Sequence, residues 1–298
     1  MASLKVKFMV AITLILWSSA FVGIRIGLTG YSPGSLALLR FLVASLCMVF
    51  IYHRQTHKKI PWPDRLRLMA LGMLGIGVYH ISLNYGEVDV AAGVASFIIG
   101  LMPVITLLLS VIFLHERPGI SIYIGFAVSF LGLLCMVMAE NTHGSATAGM
   151  LDIFIAALAG SLFCVLLKQF LRRYDPIAVS AWTMWGGTLL LLIFAGDLWQ
   201  EIGNAPLNAS LSAVYMGIFP GALAYLAWSY VLNAMSASNA SIYLYAMPVI
   251  STLLGFLVLH EQPSLTTLAG GLLAVTGALY ATSRVSISKS IHPKEIVL

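Results

Sequence analysis

What this sequence has least of is charge. Asp, Glu, Lys and Arg make up 9% of its 298 residues, against about 25% in a soluble domain, so a water-soluble globular fold is excluded. Cysteine is scarce as well: Cys47, Cys135 and Cys164 all sit in apolar runs without CxxC spacing. That excludes a disulfide framework and a cysteine zinc site, and leaves three small packing residues. Catalytic signatures are also missing. There is no Gly-x-Ser-x-Gly elbow, no HExxH and no pair of intramembrane aspartates, which speaks against an intramembrane enzyme. A charged pore ring or filter-like stretch, as a channel would need, is absent too. Finally, the longest connections between apolar runs cover only 54 to 65 and 196 to 209, so no soluble domain is inserted.

What the sequence does have is apolar residues in quantity. They make up 60% of the chain, with a mean hydropathy of +0.95, and each bilayer crossing needs about 20 of them. Polar and Pro/Gly punctuation predicts ten helices, at 8–28, 35–53, 66–86, 91–114, 121–139, 150–171, 177–195, 210–232, 238–259 and 264–284. The expected fold is an all-α polytopic membrane protein. The first stretch is too long, and followed by too many others, to be a cleaved signal peptide.

The formal charge of +5 invites a nucleic-acid reading, but membrane topology explains it. Threaded alternately through ten helices, Lys5, Lys7, Arg54, Lys58, Lys59, Arg65, Arg67, Arg117, Arg172, Arg173, Lys289 and Lys294 fall on one side. The other side carries Glu87, Asp89, Glu140, Asp197, Glu201 and Glu261. The basic side is the cytoplasm. Both termini, including a tail at 285–298, are therefore expected there, with the lipid bilayer rather than nucleic acid as the macromolecular partner.

An internal repeat organises the chain. PVITLLLSVIFLHERP at 103–118 and PVISTLLGFLVLHEQP at 248–263 share nine of sixteen residues at an offset of 145. At the same offset Gly72 meets Gly217, Tyr85 meets Tyr230, Ala92 meets Ala237, Ser96 meets Ser241, Gly125 meets Gly270 and Gly132 meets Gly277. At a slightly smaller offset Pro33 meets Pro176 and Arg25 meets Lys168. Two units of five helices result, 1–140 and 150–284. Because five is odd, the second unit enters the membrane from the opposite face. Inverted repeats of this kind support alternating access to a site between them.

With these motifs in view, the chain resembles the drug/metabolite transporter superfamily, in its EamA-type branch of ten-helix exporters. The resemblance rests on WSSAFVGIRIGL in the first stretch, SPGSLALLRF at 32–41, AAGVAS at 91–96 and the paired LHExP segments. Within that branch it is most similar to the bacterial YddG-type aromatic amino-acid exporters. The resemblance implies two inverted five-helix repeats around a central cavity, with the fifth and tenth helices peripheral. It also implies export of aromatic or hydrophobic amino acids, or related metabolites, across the bacterial inner membrane, without a cofactor.

Site residues follow from what a transport site requires: polar or aromatic groups at mid-membrane that replace water around a substrate. Trp17, Tyr79, Phe163, Tyr225, Trp228, Tyr243 and Tyr245 lie well inside their helices, whereas interfacial anchors lie at helix ends. Asn84 and Ser96 add neutral hydrogen-bonding capacity. Pro103 and Pro248 interrupt the fourth and ninth helices at matched places, and such pairs point to a transport site. Mid-helix acids are nearly absent, which favours a uniporter. His80 keeps a proton-coupled efflux carrier open as the alternative, since histidine titrates near neutral pH. Arg40 is expected to be a structural charge tied to outer acids such as Glu87. His115-Glu116 and His260-Glu261 precede proline and read as turn devices, so no metal is expected. A monomer is expected.

Overall fold

The computed structural model describes residues 4–55, 59–115, 119–139, 144–260 and 264–283. Lys58, the HERP and HEQP turns beyond His115 and His260, Glu140 and the tail from 284 onwards, with Lys289 and Lys294, lie outside the described residues. Along the described residues run ten helical segments: α1 (Leu4–Gly27), α2 (Pro33–His53), α3 (Trp62–Asp89), α4 (Ala92–Leu114), α5 (Ile120–Ala139), α6 (Gly144–Leu171), α7 (Pro176–Glu201), α8 (Leu207–Ala234), α9 (Ala237–Leu259) and α10 (Leu265–Ser283). No strand occurs among the described residues. Eight of the segments, α1 to α4 and α6 to α9, are long and apolar enough to cross a membrane. Their outward faces carry large apolar side chains such as Leu46, Phe50, Ile112 and Leu253, which fits a hydrocarbon solvent.

Local chemistry sets the ends. Pro33 and Pro176 stand in the first turns of α2 and α7, where a missing N–H costs nothing and the fixed φ is already helical. Ahead of α7, the Asp175 side chain accepts a hydrogen bond from the Ala178 N–H at 3.0 Å. The α4 and α9 segments end on His115 and His260, both left-handed, with φ of 53° and 57°. That conformation closes a helix C-terminus and is more often taken by Gly or Asn. Between α6 and α7, the Tyr174 hydroxyl donates to Asp64 at 2.6 Å, and sharing its proton with that carboxylate raises the tyrosine pKa above its ordinary value.

Two of the irregularities inside the helices recur in both units, whereas a 3-10 turn at Leu192–Phe194 in α7 and a π-helical turn at Gly255–Leu259 in α9 do not. A π-helical turn at Met73–Val78 in α3 has its counterpart at Gly217–Leu223 in α8. In α4 the helix breaks at Gly100–Leu101 and resumes at Met102, and in α9 a 3-10 turn at Tyr243–Ala246 gives way to helix at Met247. Pro103 and Pro248 stand in the first turns of these resumed helices, where a missing N–H is tolerated.

Packing is duplicated as well. One exchange maps the pattern onto itself: α1 packs on α8 and α9 while α6 packs on α3 and α4, α2 packs on α7, α4 on α9, and α5 on α10. Matched glycines permit the closest approaches. A Cβ at Gly72 would run into the carbonyl of Thr183 on α7, and one at Gly217 would stand 2.6 Å from the carbonyl oxygen of Arg40 on α2. The α5 and α10 pair lies to the side, and none of its residues lines the cavity described next.

Candidate functional site

A cavity lies where the two units meet. It is lined by Trp17, Ala20, Phe21 and Ile24 of α1; Arg40 of α2; Gly75, Tyr79, His80 and Leu83 of α3; Ile99 and Met102 of α4; Gly160, Phe163 and Cys164 of α6; Tyr225 of α8; and Leu244 and Met247 of α9. Most of these are partners across the repeat: His80 with Tyr225 and Met102 with Met247 at an offset of 145, Ala20 with Phe163 and Phe21 with Cys164 at 143. Residues at matched positions of both units therefore wall the cavity.

Its walls are shaped by the interruptions. Gly75 belongs to the π-helical turn of α3, and a Cβ there would meet the Phe163 ring. The matching turn in α8 leaves the Pro220 carbonyl to accept a hydrogen bond from Trp17 Nε1 at 3.2 Å. Where α4 and α9 resume, the Met102 and Met247 carbonyls accept from the hydroxyls of Ser161 at 3.2 Å and Ser18 at 3.3 Å. Both bonds run from one unit to the other. Those serines are matched at an offset of 143, so one device is built twice.

Five of the expected aromatic and polar residues gather at the cavity. The Trp17 ring meets Tyr225 edge-on at 5.3 Å, and Phe163 stands 6.3 Å from Tyr225. His80 lies 4.6 Å from Tyr79 and 4.5 Å from Phe41, all measured between ring centroids. Its Nδ1 is 2.9 Å from the Ile76 carbonyl. A carbonyl only accepts, so Nδ1 carries the proton and Nε2 is the free acceptor. The bond lies within α3 itself.

The other five lie elsewhere. Trp228 lies behind Trp17, its ring tilted by 54° at a centroid distance of 5.4 Å, and donates to Cys164 Sγ at 3.4 Å. Asn84 donates to the Pro33 carbonyl at 3.0 Å, tying α3 to α2. Ser96 donates to Gly93 and accepts from Ser251 on α9. Tyr243 is half-buried against the main core. Tyr245 packs with Phe126 in a separate apolar cluster, its hydroxyl buried without a partner. The 3-10 turn accounts for both tyrosines: at 3.0 rather than 3.6 residues per turn it shifts the facing direction, and Leu244 between them is the residue that lines the cavity.

Arg40 and Glu87 also differ from expectation. Arg40 is only 2% exposed and lines the cavity; its Nε and Nη1 form no hydrogen bond, and its guanidinium lies 5.2 Å from the Phe41 ring centre. Glu87 acts on it through its charge but is not a wall residue. Glu87 itself is fully buried within α3 rather than exposed in a loop. No sequence signal separates this arginine from one that snorkels to the interface. Its repeat partner is Thr183, so the charge belongs to one unit alone.

The EamA-like transporter family model matches this chain twice, over residues 4–138 and 147–283. The chain belongs to the EamA-like transporter family. Among EamA relatives, an uncharacterised transporter of Bacillus subtilis (strain 168), YdfC, is 36% identical over 91% of this chain and 89% of its own length. A probable terminal-alkyne amino-acid exporter of Streptantibioticus cattleyicolor is 32% identical over 94% of each chain. A crystal structure with 21% identity superposes with a TM-score of 0.74, covering 93% of this chain and 98% of that one, and so shares the fold. The protein is a multi-span membrane transporter.

In this conformation the cavity offers about 40 Å³ to the centres of water molecules, where one water needs roughly 10–15 Å³. It has room for a few waters. A whole amino acid requires the walls to part.

Proposed function

We propose that this EamA transporter exports aromatic or hydrophobic amino acids, or close metabolites, across the bacterial plasma membrane by alternating access. The observation that carries this reading is the cavity between duplicated halves, walled by five aromatic side chains and bordered by interrupted helices. Transport sites at repeat interfaces are built in this way. Supporting the substrate class is the 32%-identical relative whose name describes an amino-acid exporter. The proposed architecture is ten crossings in two inverted units, 1–140 and 150–284, with both termini cytoplasmic and the protein acting as a monomer. The exchange symmetry of the packing supports the two-unit part of that arrangement.

In the proposed cycle the aromatic walls take up the substrate side chain in place of water, and edge-to-face contacts favour flat groups. The two units then trade conformations, made possible by their matched breaks and π-helical turns. The proposed cycle uses no coupled ion, which fits a cavity wall that carries no carboxylate among the described residues. One observation favours proton coupling as a second reading, namely Glu87, buried in α3 and acting on Arg40 through its charge.

The test is counterflow in proteoliposomes loaded with unlabelled amino acids and offered radiolabelled phenylalanine, tryptophan, leucine or alanine, with and without a pH gradient. Saturable exchange that favours the aromatic and large apolar substrates, unchanged by the gradient, is expected. Accumulation above equilibrium only with the gradient would replace the uniport reading by the coupled one, with Glu87→Gln as its next test. Absence of exchange for the whole panel would refute amino-acid export.

A further inference from the structure

We infer that Arg40 is the substrate-binding cation of the cavity and that it selects molecules carrying a carboxylate beside an apolar or aromatic group. This deepens the transport reading and rests on it.

A guanidinium has five N–H donors and normally fills them when buried. In Arg40 the Nε and Nη1 donors are buried without hydrogen bonds, although the residue is 2% exposed and lines the cavity. Leaving a charge in that condition is costly, and a protein keeps it where a partner arrives later. No negatively charged side chain among the described wall residues offers that partner. The cavity is lined by no Asp or Glu, and its other polar groups are the Tyr79 and Tyr225 hydroxyls, the Trp17 N–H, the Cys164 thiol and the His80 ring. Glu87 acts on Arg40 electrostatically and is outside the wall. A planar carboxylate matches the guanidinium fork with two parallel hydrogen bonds.

The rest of the wall limits what is attached to that carboxylate. Trp17, Phe163, Tyr79 and Tyr225 surround the remaining space with rings, and Met102, Met247, Ile99 and Leu244 complete it. An ammonium group finds no carboxylate among the described residues of this wall, so a free amine without an acid is disfavoured. The repeat sharpens this asymmetry: Thr183 occupies the position equivalent to Arg40, so a single acid group is held to one side of an otherwise paired site.

The test uses the full-length protein and three probes that share a phenyl ring: L-phenylalanine, 3-phenylpropionate, which lacks the amine, and phenethylamine, which lacks the acid. Thermal unfolding of the purified protein is followed with each, and each is used to compete in counterflow. 3-Phenylpropionate is expected to raise the unfolding temperature and to compete, and phenethylamine to do neither at tenfold higher concentration. Arg40→Gln is expected to lower the apparent affinity for 3-phenylpropionate by about ten- to hundredfold, the loss of one charge-assisted pair. Arg40→Lys is expected to retain part of it. Equal action of the amine and the acid on the wild-type protein would overturn the inference whether or not the variants fold. So would an Arg40→Gln protein with undiminished affinity for the acid. Binding of 3-phenylpropionate without transport of any amino acid would uphold Arg40 as the anion site while refuting amino-acid export.

Discussion

The aromatic residues divide according to what surrounds their rings. Trp17 and Tyr225 face the cavity and each other, so Trp17→Ala and Tyr225→Ala are expected to weaken aromatic substrates against alanine. The edge-to-face term is worth about 0.5–1.5 kcal/mol, which is up to roughly tenfold in relative affinity, measured as the ratio of half-saturation constants in counterflow. Tyr245 behaves oppositely. Its hydroxyl is buried with no hydrogen bond among apolar neighbours, so Tyr245→Phe removes an unsatisfied group, and stability is expected to hold or rise by about 1 kcal/mol. Substrate preference is expected to stay as it is. A lowered unfolding temperature for Tyr245→Phe would show that the hydroxyl has a partner in the folded protein. A place well inside a helix was legible in the sequence for all of these residues; azimuth was not. Tyr243 and Tyr245 share a depth with Leu244, and only the 3-10 turn decides which of the three looks inward.

At the scale of the helices, the duplication was legible because the glycines and prolines that impose irregular backbone recur at fixed offsets. Gly72 and Gly217 let α3 and α8 press against the carbonyls of Thr183 and Arg40. Adding a methyl there forces two backbones apart, so Gly72→Ala and Gly217→Ala are each expected to cost roughly 1–3 kcal/mol. Gly196 in α7 has nothing near its missing Cβ. Its replacement by Ala is expected to be neutral or to stabilise by up to about 1 kcal/mol. Thermal unfolding of the three variants checks the contrast, and equal effects would refute the packing argument. The basic pair is legible in the same way. Arg25 donates to the carbonyls of Glu87 and Val88 at the end of α3, and Lys168 donates to those of Leu232 and Met235 at the end of α8. Sequence shows that Arg25 and Lys168 correspond. That both close a helix C-terminus depends on the distance between segments, which pattern alone does not carry.

For the whole molecule, the proposed five crossings per unit would place the two left-handed ends, His115 and His260, on opposite faces of the membrane. Single cysteines at these positions, His115→Cys and His260→Cys, are expected to react with an impermeant maleimide from opposite sides of oriented vesicles. Reaction from one side would rule out inversion. Arg40 shows where the sequence reading ran out: a charge near a helix end looks the same whether it reaches water or turns inward, and only the assembled cavity distinguishes the two.

The central claim, that the cavity is the transport site, is tested most directly through its own thiol. Cys164 lines the wall, while Cys47 is half-buried and Cys135 exposed, both outside it. In a Cys47→Ser, Cys135→Ser protein, formation of a mixed disulfide at Cys164 with a small methanethiosulfonate reagent, methanesulfinate leaving, is followed as substrate is added. Labelling is expected to slow with the same half-saturation as counterflow, since the substrate occupies the space the reagent must enter. A rate unchanged at saturating substrate would show that transport passes elsewhere.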